Sequence, residues 1–313
     1  MMDVVEGIRA LPLGRGPSVV TIGMFDGVHL GHQAVLNRTV EEAGRRGLPA
    51  VAVTFDRHPR EVLTPGRVPP LITTPGRKAA AIEALGVQTL VVLEFDDELS
   101  RLPSEGFARR VIAEGLEAVH VVVGANFTFG HQALGTVRTL EEVGRRLGFD
   151  AEGVALIDLD GRRISSSSIR EAAANGDLSW PMLALGRRFV VDGRVVRGAG
   201  RGGPMGFPTA NLEVPGKMLL PGRGIYAGRA IAGGRAHAAA IDVGTNPQFG
   251  AEPLHVEAHL LDFEGDLTGR DLSVEFWERL RDEERFDSVD DLVRQMAADV
   301  ERTRSLVDER SGD

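Results

Sequence analysis

The stretch Gly23-Met24-Phe25-Asp26-Gly27-Val28-His29-Leu30-Gly31-His32 follows a short apolar run at residues 18–22 and precedes a segment with helical periodicity. It therefore predicts a strand, a glycine-containing turn and a helix that begins with two imidazoles. The N-terminus of a helix presents unpaired N–H groups and partial positive charge, so it favours a phosphate. His29 and His32 are three residues apart and project to the same side of a helix, and Gly31 leaves room between them for a close approach. Two solvated histidines on a first helical turn are the alternative interpretation.

The sequence His29-Leu30-Gly31-His32 is similar to the H-x-G-H motif of nucleotidylyltransferases. In those enzymes the imidazoles stabilise the charge that develops on the α-phosphate of ATP while another phosphate or a carboxylate attacks it. The resemblance implies a transfer reaction that needs no covalent enzyme intermediate.

Composition predicts an enzyme with two domains. A chain of 313 residues, 42% of them hydrophobic, is longer than one core usually supports and apolar enough for two. The net charge of −9 argues against nucleic acid or an acidic membrane surface as the main partner. The absence of cysteine excludes disulfides, thiolate metal sites and a cysteine nucleophile. No targeting peptide is evident in the first ten residues, and we expect a cytoplasmic protein.

The first half of the chain alternates short apolar strands with amphipathic segments, which is typical of an α/β, Rossmann-like domain with a parallel sheet. Predicted strands lie near residues 19–23, 50–55, 88–93, 120–124 and 151–157, and predicted helices lie at 32–46, 75–85, 104–114 and 140–147. Ligands bind such sheets at the carboxyl ends of the strands. His29, His58 and Asn126 all fall at such ends.

After a helical pair near residues 166–185 the sequence changes to strands punctuated by glycine and proline. Predicted strands lie at 189–197, 210–214, 224–231, 235–243, 254–263 and 272–276. No long helix interrupts them, so they are expected to close as a small antiparallel β-barrel. A C-terminal helix follows Ser288, and we interpret its apolar stripe between Val289 and Val300 as packing. The segment 281–285 is interpreted as a solvated charged run. The predicted domains are 1–185 and 186–313.

The second half also contains a sequence that satisfies G-x-G-x-x-G, from Gly198 to Gly203. Pro204 and Pro208 follow at once and prevent a dinucleotide-binding helix from starting there, so the Rossmann interpretation of this sequence is rejected. A glycine-rich loop can still surround phosphates with its N–H groups. The hydroxyl of Thr209 and the amide oxygen of Asn211 are hard ligands suited to Mg²⁺, although a plain turn is the favoured interpretation of this segment taken alone.

Taken together, the chain resembles the bifunctional riboflavin kinase/FMN adenylyltransferases, the prokaryotic FAD synthetases, over essentially its full length. The motifs that carry the resemblance are GMFDGVHLGHQ (23–33), TFDRHP (54–59), VGANFTFG (123–130), ISSSSIR (164–170), GRVVRGAGRG (193–202), GFPTANL (206–212), PGRGIYAG (221–228), VGTNPQFG (243–250), VEAHLLDFEGDLTG (256–269) and LRDEERFDS (280–288). The resemblance implies that the barrel phosphorylates riboflavin to FMN and that the first domain adenylylates FMN to FAD with release of pyrophosphate, both with ATP and Mg²⁺. Nucleic acid and membranes are not expected partners, and the oligomeric state stays open.

The resemblance also implies roles for particular residues. His29 and His32 would hold the ATP phosphates, Arg170 the departing pyrophosphate, and Glu257 would take the proton from the ribityl hydroxyl. Without the resemblance, Glu257 would be an ordinary outward-facing carboxylate. His58 and Asn126 would face the flavin or its phosphate, and Thr209 and Asn211 would position Mg²⁺. Further ATP or phosphate contacts are expected from Gly23, Phe25, Gly31, Ser165, Ser166, Ser167, Gly198, Gly200 and Gly202.

Some positions depart from the family pattern. Ser167 replaces a usual threonine but keeps the hydroxyl. Three departures fall in the kinase half: Gly203-Pro204 lacks the usual arginine, Gln248 replaces threonine and Thr268 replaces tyrosine. They leave open an alternative in which the protein is an FMN adenylyltransferase whose barrel binds flavin without phosphorylating it. A non-catalytic flavin carrier is disfavoured by the presence of His29, His32, Arg170 and Glu257, and an adenylyltransferase for pantetheine phosphate would leave the barrel unexplained.

Overall fold

The computed structural model describes residues 1–7, 14, 16–198, 200, 202–245 and 254–310. The chain divides into two compact units, one made of residues 1–69 and 75–166 and the other of residues 70–74 and 167–313. Each unit has the class of fold expected from the sequence.

The first unit is built around a parallel sheet of six strands in the order β1-β4-β3-β2-β5-β8. The strands of this unit are β1 (Asp3–Glu6), β2 (Ser18–Ile22), β3 (Ala50–Phe55), β4 (Thr89–Leu93), β5 (Ala118–Gly124), β6 (Thr128–Phe129), β7 (Gly135–Thr136), β8 (Asp150–Val154), β9 (Asp158–Leu159) and β10 (Arg162–Arg163). β2 and β3 are buried along almost their whole length, as expected for parallel strands covered on both faces. The edge strand β1 was not predicted, because a run of four mostly exposed residues has no clear periodicity.

Helices cover the sheet of the first unit. They are α1 (Leu30–Arg46), α2 (Arg60–Leu63), α3 (Pro75–Ala84), α4 (Asp97–Ser100), α5 (Ser104–Phe107), a π-helical segment (Ala108–Ala113), α6 (Glu114–Leu116) and α7 (Val137–Leu147). α1 ends at Gly47, whose φ of +66° provides a left-handed C-cap. β2 lies between β3 and β5 in the sheet, although α1 connects it only to β3. The point where the strand order reverses therefore lies beside β2, and this is where open α/β sheets bind their ligands.

The second unit is a closed antiparallel barrel in the order β11-β12-β15-β14-β13-β16. Its strands are β11 (Phe189–Val196), β12 (Ala210–Glu213), β13 (Gly224–Ala232), β14 (Arg235–Gly244), β15 (His255–Leu260) and β16 (Asp271–Arg281). The helices are α8 (Ser166–Ala174), whose first residue belongs to the first unit, α9 (Ser179–Leu185) and α10 (Val289–Glu309). Tyr226, Phe189 and Phe276 fill the barrel interior.

The start of α10 confirms its predicted N-cap, because Ser288 accepts a hydrogen bond from the N–H of Asp291. The stripe packs as predicted, since α10 contacts β13 and β14, and its partly buried residues Leu292, Met296 and Val300 also line a cavity. The interpretation of residues 281–285 as solvated is wrong for Arg281. Its guanidinium is 16% exposed and forms hydrogen bonds of 2.8–3.1 Å to Asp299, which ties β16 to α10.

Candidate functional sites

The two histidines of the H-x-G-H sequence lie where β2 ends and α1 begins. His29 is the N-cap of α1, and its Nδ1 accepts a hydrogen bond of 3.2 Å from the N–H of His32. The two rings are stacked, with centroids 3.6 Å apart and planes 15° apart. The imidazoles therefore stand together at a helix N-terminus, as the sequence predicts.

The loop that carries this pair has an unusual backbone. Phe25 and Val28 have φ values of +49° and +40°, which residues with a side chain rarely adopt. The buried Phe25 ring packs at 5.4 Å against His32 and lies so close to Gly23 that a Cβ there would be 2.9 Å from it. A Cβ on Gly31 would lie 3.2 Å from the His29 ring. Gly23, Phe25 and Gly31 thus shape the loop and hold the imidazoles in place.

Lys78 supports the same loop and was not predicted as a site residue. Its Nζ donates hydrogen bonds of 2.9 Å to Thr54 Oγ1 and 3.3 Å to the carbonyl of Met24. Burial lowers the pKa of Lys78, and the nearby carboxylates of Asp26 and Asp56 only partly oppose this shift. A basic residue in an amphipathic helix gives no sequence signal that distinguishes it from a solvated one.

The predicted phosphate-binding serines lie at the start of α8. The hydroxyl of Ser166 donates a 3.0 Å hydrogen bond to the carbonyl of Asp26, so this serine is tied to the loop before α1. Ser165 is half-buried and Ser167 is exposed. In the second unit, Arg170 donates from Nε to the carbonyl of Pro70 at 2.7 Å.

An aromatic cavity of about 430 Å³ lies at the carboxyl ends of the strands in the first unit. Phe55 and Phe95 meet edge to face at 5.5 Å, and Phe127 and Phe129 stack at the same distance. The cavity wall also includes Pro59, Leu63 and Phe107. His58 and Asn126 each neighbour a lining residue in sequence, and Asn126 is exposed. The sequence analysis did not predict these phenylalanines as site residues. Their positions at or just after the ends of β3, β4 and β5 were the signal that could have indicated them.

The barrel contains a second cavity, of about 300 Å³. Thr209 and Glu257 lie on its wall, and the Thr209 hydroxyl donates a 2.8 Å hydrogen bond to Glu257 Oε2. The other carboxylate oxygen lies 3.6 Å from Nε2 of His255. Asn211 on β12 pairs in register with Glu257 on β15, so these two residues are cross-strand neighbours. The three residues predicted for phosphoryl transfer therefore gather at one place.

The glycines before β12 fit this arrangement. A Cβ on Gly198 would lie 2.2 Å from the amide nitrogen of Asn211, so only glycine leaves space for that side chain. Gly202 lines the cavity, and Gly200 has a φ of +68°. Gly203 and Pro204 form a short 3₁₀ turn that ends at Met205, while Thr268 donates its N–H to Asp266. Gln248 lies outside the described residues.

Asp242 is a further carboxylate that lines this cavity, and the sequence analysis did not predict it as a site residue. It pairs in register with Glu257 across β14 and β15. Burial, together with the negative charges of Glu283 and Glu257, raises its pKa to about 7, and Arg281 and Arg223 oppose the shift only in part. Strand alternation places Asp242 on the outward face of β14, between the buried Ile241 and Val243, and could not show that a cavity lies against that face.

These observations define the class of protein: a transferase in which an α/β nucleotidylyltransferase unit is joined to a kinase barrel. The FAD synthetase family matches residues 14–168, and the riboflavin kinase family matches residues 185–307. A bifunctional riboflavin kinase/FMN adenylyltransferase from Pseudomonas fluorescens is 37% identical over 97% of this chain and 98% of its own length. A second such enzyme, from Escherichia coli K12, is 33% identical over 95% of this chain and 96% of its own length.

The chain belongs to the family of bifunctional riboflavin kinase/FMN adenylyltransferases. It is therefore an enzyme with two ATP-dependent transferase activities, and the resemblance noted in the sequence is confirmed. A solved structure from Streptococcus pneumoniae, titled a macrolide-efflux protein, covers 97% of this chain with 30% identity and a TM-score of 0.89. Within the described part of the chain, no helix has the length and apolar character needed to cross a membrane.

Proposed function

We propose that residues 186–313 phosphorylate riboflavin and that residues 1–185 transfer the adenylyl group of ATP to the FMN produced. The end of α9 at Leu185 and the riboflavin kinase match from residue 185 support this boundary, although the two compact units divide after Ser166. The observation that carries the proposal is that each half has its own reactive cluster. Stacked imidazoles stand at a helix N-terminus in one, and a hydroxyl and a carboxylate meet on a cavity wall in the other.

In the barrel, Glu257 acts as the general base. It removes the proton from the terminal ribityl hydroxyl as that oxygen attacks the γ-phosphorus of ATP, and ADP leaves with the electrons of the broken P–O bond. The apolar face of α10 contacts the flavin ring, because Leu292, Met296 and Val300 line the same cavity as Glu257. The glycine loop before Gly202 surrounds the ATP phosphates.

The oxygen atoms of Thr209 and Asn211 fit Mg²⁺, which prefers hard oxygen ligands and keeps part of its coordination for substrate phosphates and water. Among the described residues, no group of three histidine, aspartate or glutamate side chains gathers to hold a metal ion. This favours an ion that arrives with ATP over one held in a cage of protein ligands. When bound, Mg²⁺ would neutralise charge on the transferring phosphoryl group.

In the proposed domain of residues 1–185, His29 and His32 stabilise the charge that develops on the α-phosphate of ATP while a phosphate oxygen of FMN attacks it. A new phosphoric anhydride bond forms, and pyrophosphate leaves. Ser165, Ser166, Ser167 and Arg170 contact the phosphates. The aromatic cavity receives the flavin ring of FMN, because stacked phenylalanines match a flat conjugated ring, with His58 and Asn126 at its border. We place both reactions in the cytoplasm, where ATP is available.

A product assay tests the proposal. The protein is incubated with riboflavin, ATP and Mg²⁺, and the flavins are separated by chromatography. FAD is expected as the product, with ADP and pyrophosphate released. Unchanged riboflavin, with added FMN still converted to FAD, would instead support the alternative that the barrel binds flavin without phosphorylating it. Matches to both families along the chain favour the bifunctional enzyme.

A further inference from the structure

Asp242 lines the barrel cavity, and one of its carboxylate oxygens has no hydrogen-bond partner among the residues that the structure describes. Glu257 and Thr209 line the same cavity. The oxygen without a partner is Oδ1, which is buried. A buried acceptor left without a partner costs roughly 1–3 kcal/mol, and more when the group is charged. Like charges directly opposite each other on neighbouring strands add to that cost.

The Asn211, Glu257 and Asp242 positions form one row across β12, β15 and β14. The hydroxyl of Thr209 donates a hydrogen bond to Glu257, whereas no described residue donates one to Asp242 Oδ1. The Asp242 carboxyl can therefore accept a hydrogen bond from a ligand in this cavity. An anionic group would be repelled by Asp242, Glu257 and Glu283, so the donor belongs to an uncharged or a cationic group.

The cavity also has an apolar lining, formed by Ile225, the cross-strand neighbour of Asp242, and by Leu292 and Met296 on α10. A ligand that carries both a flat apolar ring and a chain of hydroxyls would match the apolar and the polar lining residues. Riboflavin has this construction. The inference below rests on the proposed assignment of this cavity to the kinase reaction.

We propose that Asp242 is a specificity-determining residue that accepts a hydrogen bond from a hydroxyl in the ribityl chain of riboflavin. Asp242 thereby selects flavins that carry the polyol, and it holds the chain so that the terminal hydroxyl reaches Glu257.

The experiment uses the full chain and measures ADP release, which reports phosphorylation alone because adenylyl transfer releases pyrophosphate. Two quantities are compared: KM for riboflavin, and Ki for lumiflavin, which has the same ring with a methyl group in place of the ribityl chain. For Asp242→Ala we expect KM for riboflavin to rise roughly tenfold or more, because the substitution removes one hydrogen bond to a charged group. Ki for lumiflavin is expected to stay within about twofold, since the ring contacts persist. Asp242→Asn keeps an acceptor oxygen and should largely restore KM.

Asp271→Asn is the control, because Asp271 is an exposed carboxylate at the start of β16, outside the cavity. A second measurement covers the case in which Asp242→Ala fails to fold. Riboflavin analogues that each lack one secondary hydroxyl are assayed with the wild-type chain and with Asp242→Asn. The analogue that lacks the hydroxyl bound by Asp242 should have a KM with the wild-type chain that is roughly tenfold higher than that of riboflavin.

Three outcomes would overturn the inference. KM and Ki that rise together in Asp242→Ala would show general damage to the cavity. A fall in kcat at constant KM would show that Asp242 acts only on Glu257. Insensitivity of KM to the variant, or to every missing hydroxyl, would show that no such contact exists. If the wild-type chain releases no ADP with riboflavin, the proposed kinase function fails instead, which is a different result.

Discussion

The Thr209 hydroxyl donates a 2.8 Å hydrogen bond to a carboxylate oxygen of Glu257, although the two residues are 48 positions apart in the chain. The pair bridges neighbouring strands of a closed barrel and orients the carboxylate on the wall of the cavity. A carboxylate held by one such bond keeps its remaining lone pairs for a substrate proton. The same hydroxyl oxygen also has a lone pair for a metal ion, so the two functions proposed for the barrel meet in this one contact.

Glu257→Gln tests the base. Glutamine keeps the shape of the side chain and accepts the Thr209 hydrogen bond, but it cannot take a proton at neutral pH. We expect riboflavin phosphorylation, measured as kcat for ADP release, to fall on the order of a hundredfold or more with KM for riboflavin little changed. FMN added directly should still become FAD at the wild-type rate. Near-native phosphorylation by this variant would make Glu257 a structural carboxylate.

Thr209→Val tests the metal ligand, because it removes the hydroxyl at nearly constant volume. We expect phosphorylation to require a much higher Mg²⁺ concentration, while adenylyl transfer keeps its Mg²⁺ dependence. The substitution also removes the donor to Glu257, so Thr209→Ser, which restores the hydroxyl, is the matched control. An unchanged Mg²⁺ titration of ADP release in Thr209→Val would show that this hydroxyl does not position the ion.

The imidazole pair is tested by His32→Ala and by two substitutions of His29. Each alanine variant should abolish FAD formation from FMN, since a donor to the α-phosphate is lost. His29→Ala also removes the N-cap of α1, which costs about 1 kcal/mol of stability. His29→Asn keeps a capping oxygen, so it should restore the melting temperature but not FAD formation. Phosphorylation of riboflavin should persist in all three, and its loss in a folded variant would contradict a two-site enzyme.

The fold class and the histidine pair could be predicted because their signals are local or repeated along the chain, whereas Glu257 was distinguished from an outward-facing carboxylate only by the family resemblance. Strand periodicity indicated β2, β3 and β5, and the two histidines stand between an apolar strand and a segment with helical periodicity. Lys78 and Asp242 could not be predicted in this way, since their roles arise from contacts between elements distant in sequence. The apolar stripe of α10 predicted the helix but not the cavity that the stripe lines, because periodicity shows which face is apolar and not what covers it.

Lys78→Met tests whether the loop before α1 depends on a buried ammonium group. The substitution leaves the Met24 carbonyl with one hydrogen bond, from Thr54 at 3.1 Å, and removes the cation beside Asp26. Because Phe25 and Val28 hold strained conformations, loss of this support should misplace the imidazoles. We expect kcat for FAD formation to fall roughly tenfold, the effect of about one lost buried hydrogen bond. Riboflavin phosphorylation by the same protein is the internal control, and an unchanged kcat for FAD formation would exclude a positioning role.

Asp242→Asn should stabilise the enzyme in a manner that depends on pH. The pKa of Asp242 is raised to about 7 by burial and by Glu283 and Glu257, against about 3.9 for an unfolded chain. The folded state therefore holds a proton that the unfolded state has lost between these values, so the wild-type free energy of unfolding declines as pH rises from about 4 to about 7. An asparagine side chain does not titrate in this pH range. Its stability gain over the wild type should be smallest near pH 4, grow through this window and level off above pH 7 at roughly 2–4 kcal/mol. Urea unfolding of both proteins at several pH values measures the difference, with Asp271→Asn as the control that should show no such trend. A gain that is independent of pH would mean that Asp242 stays ionised throughout.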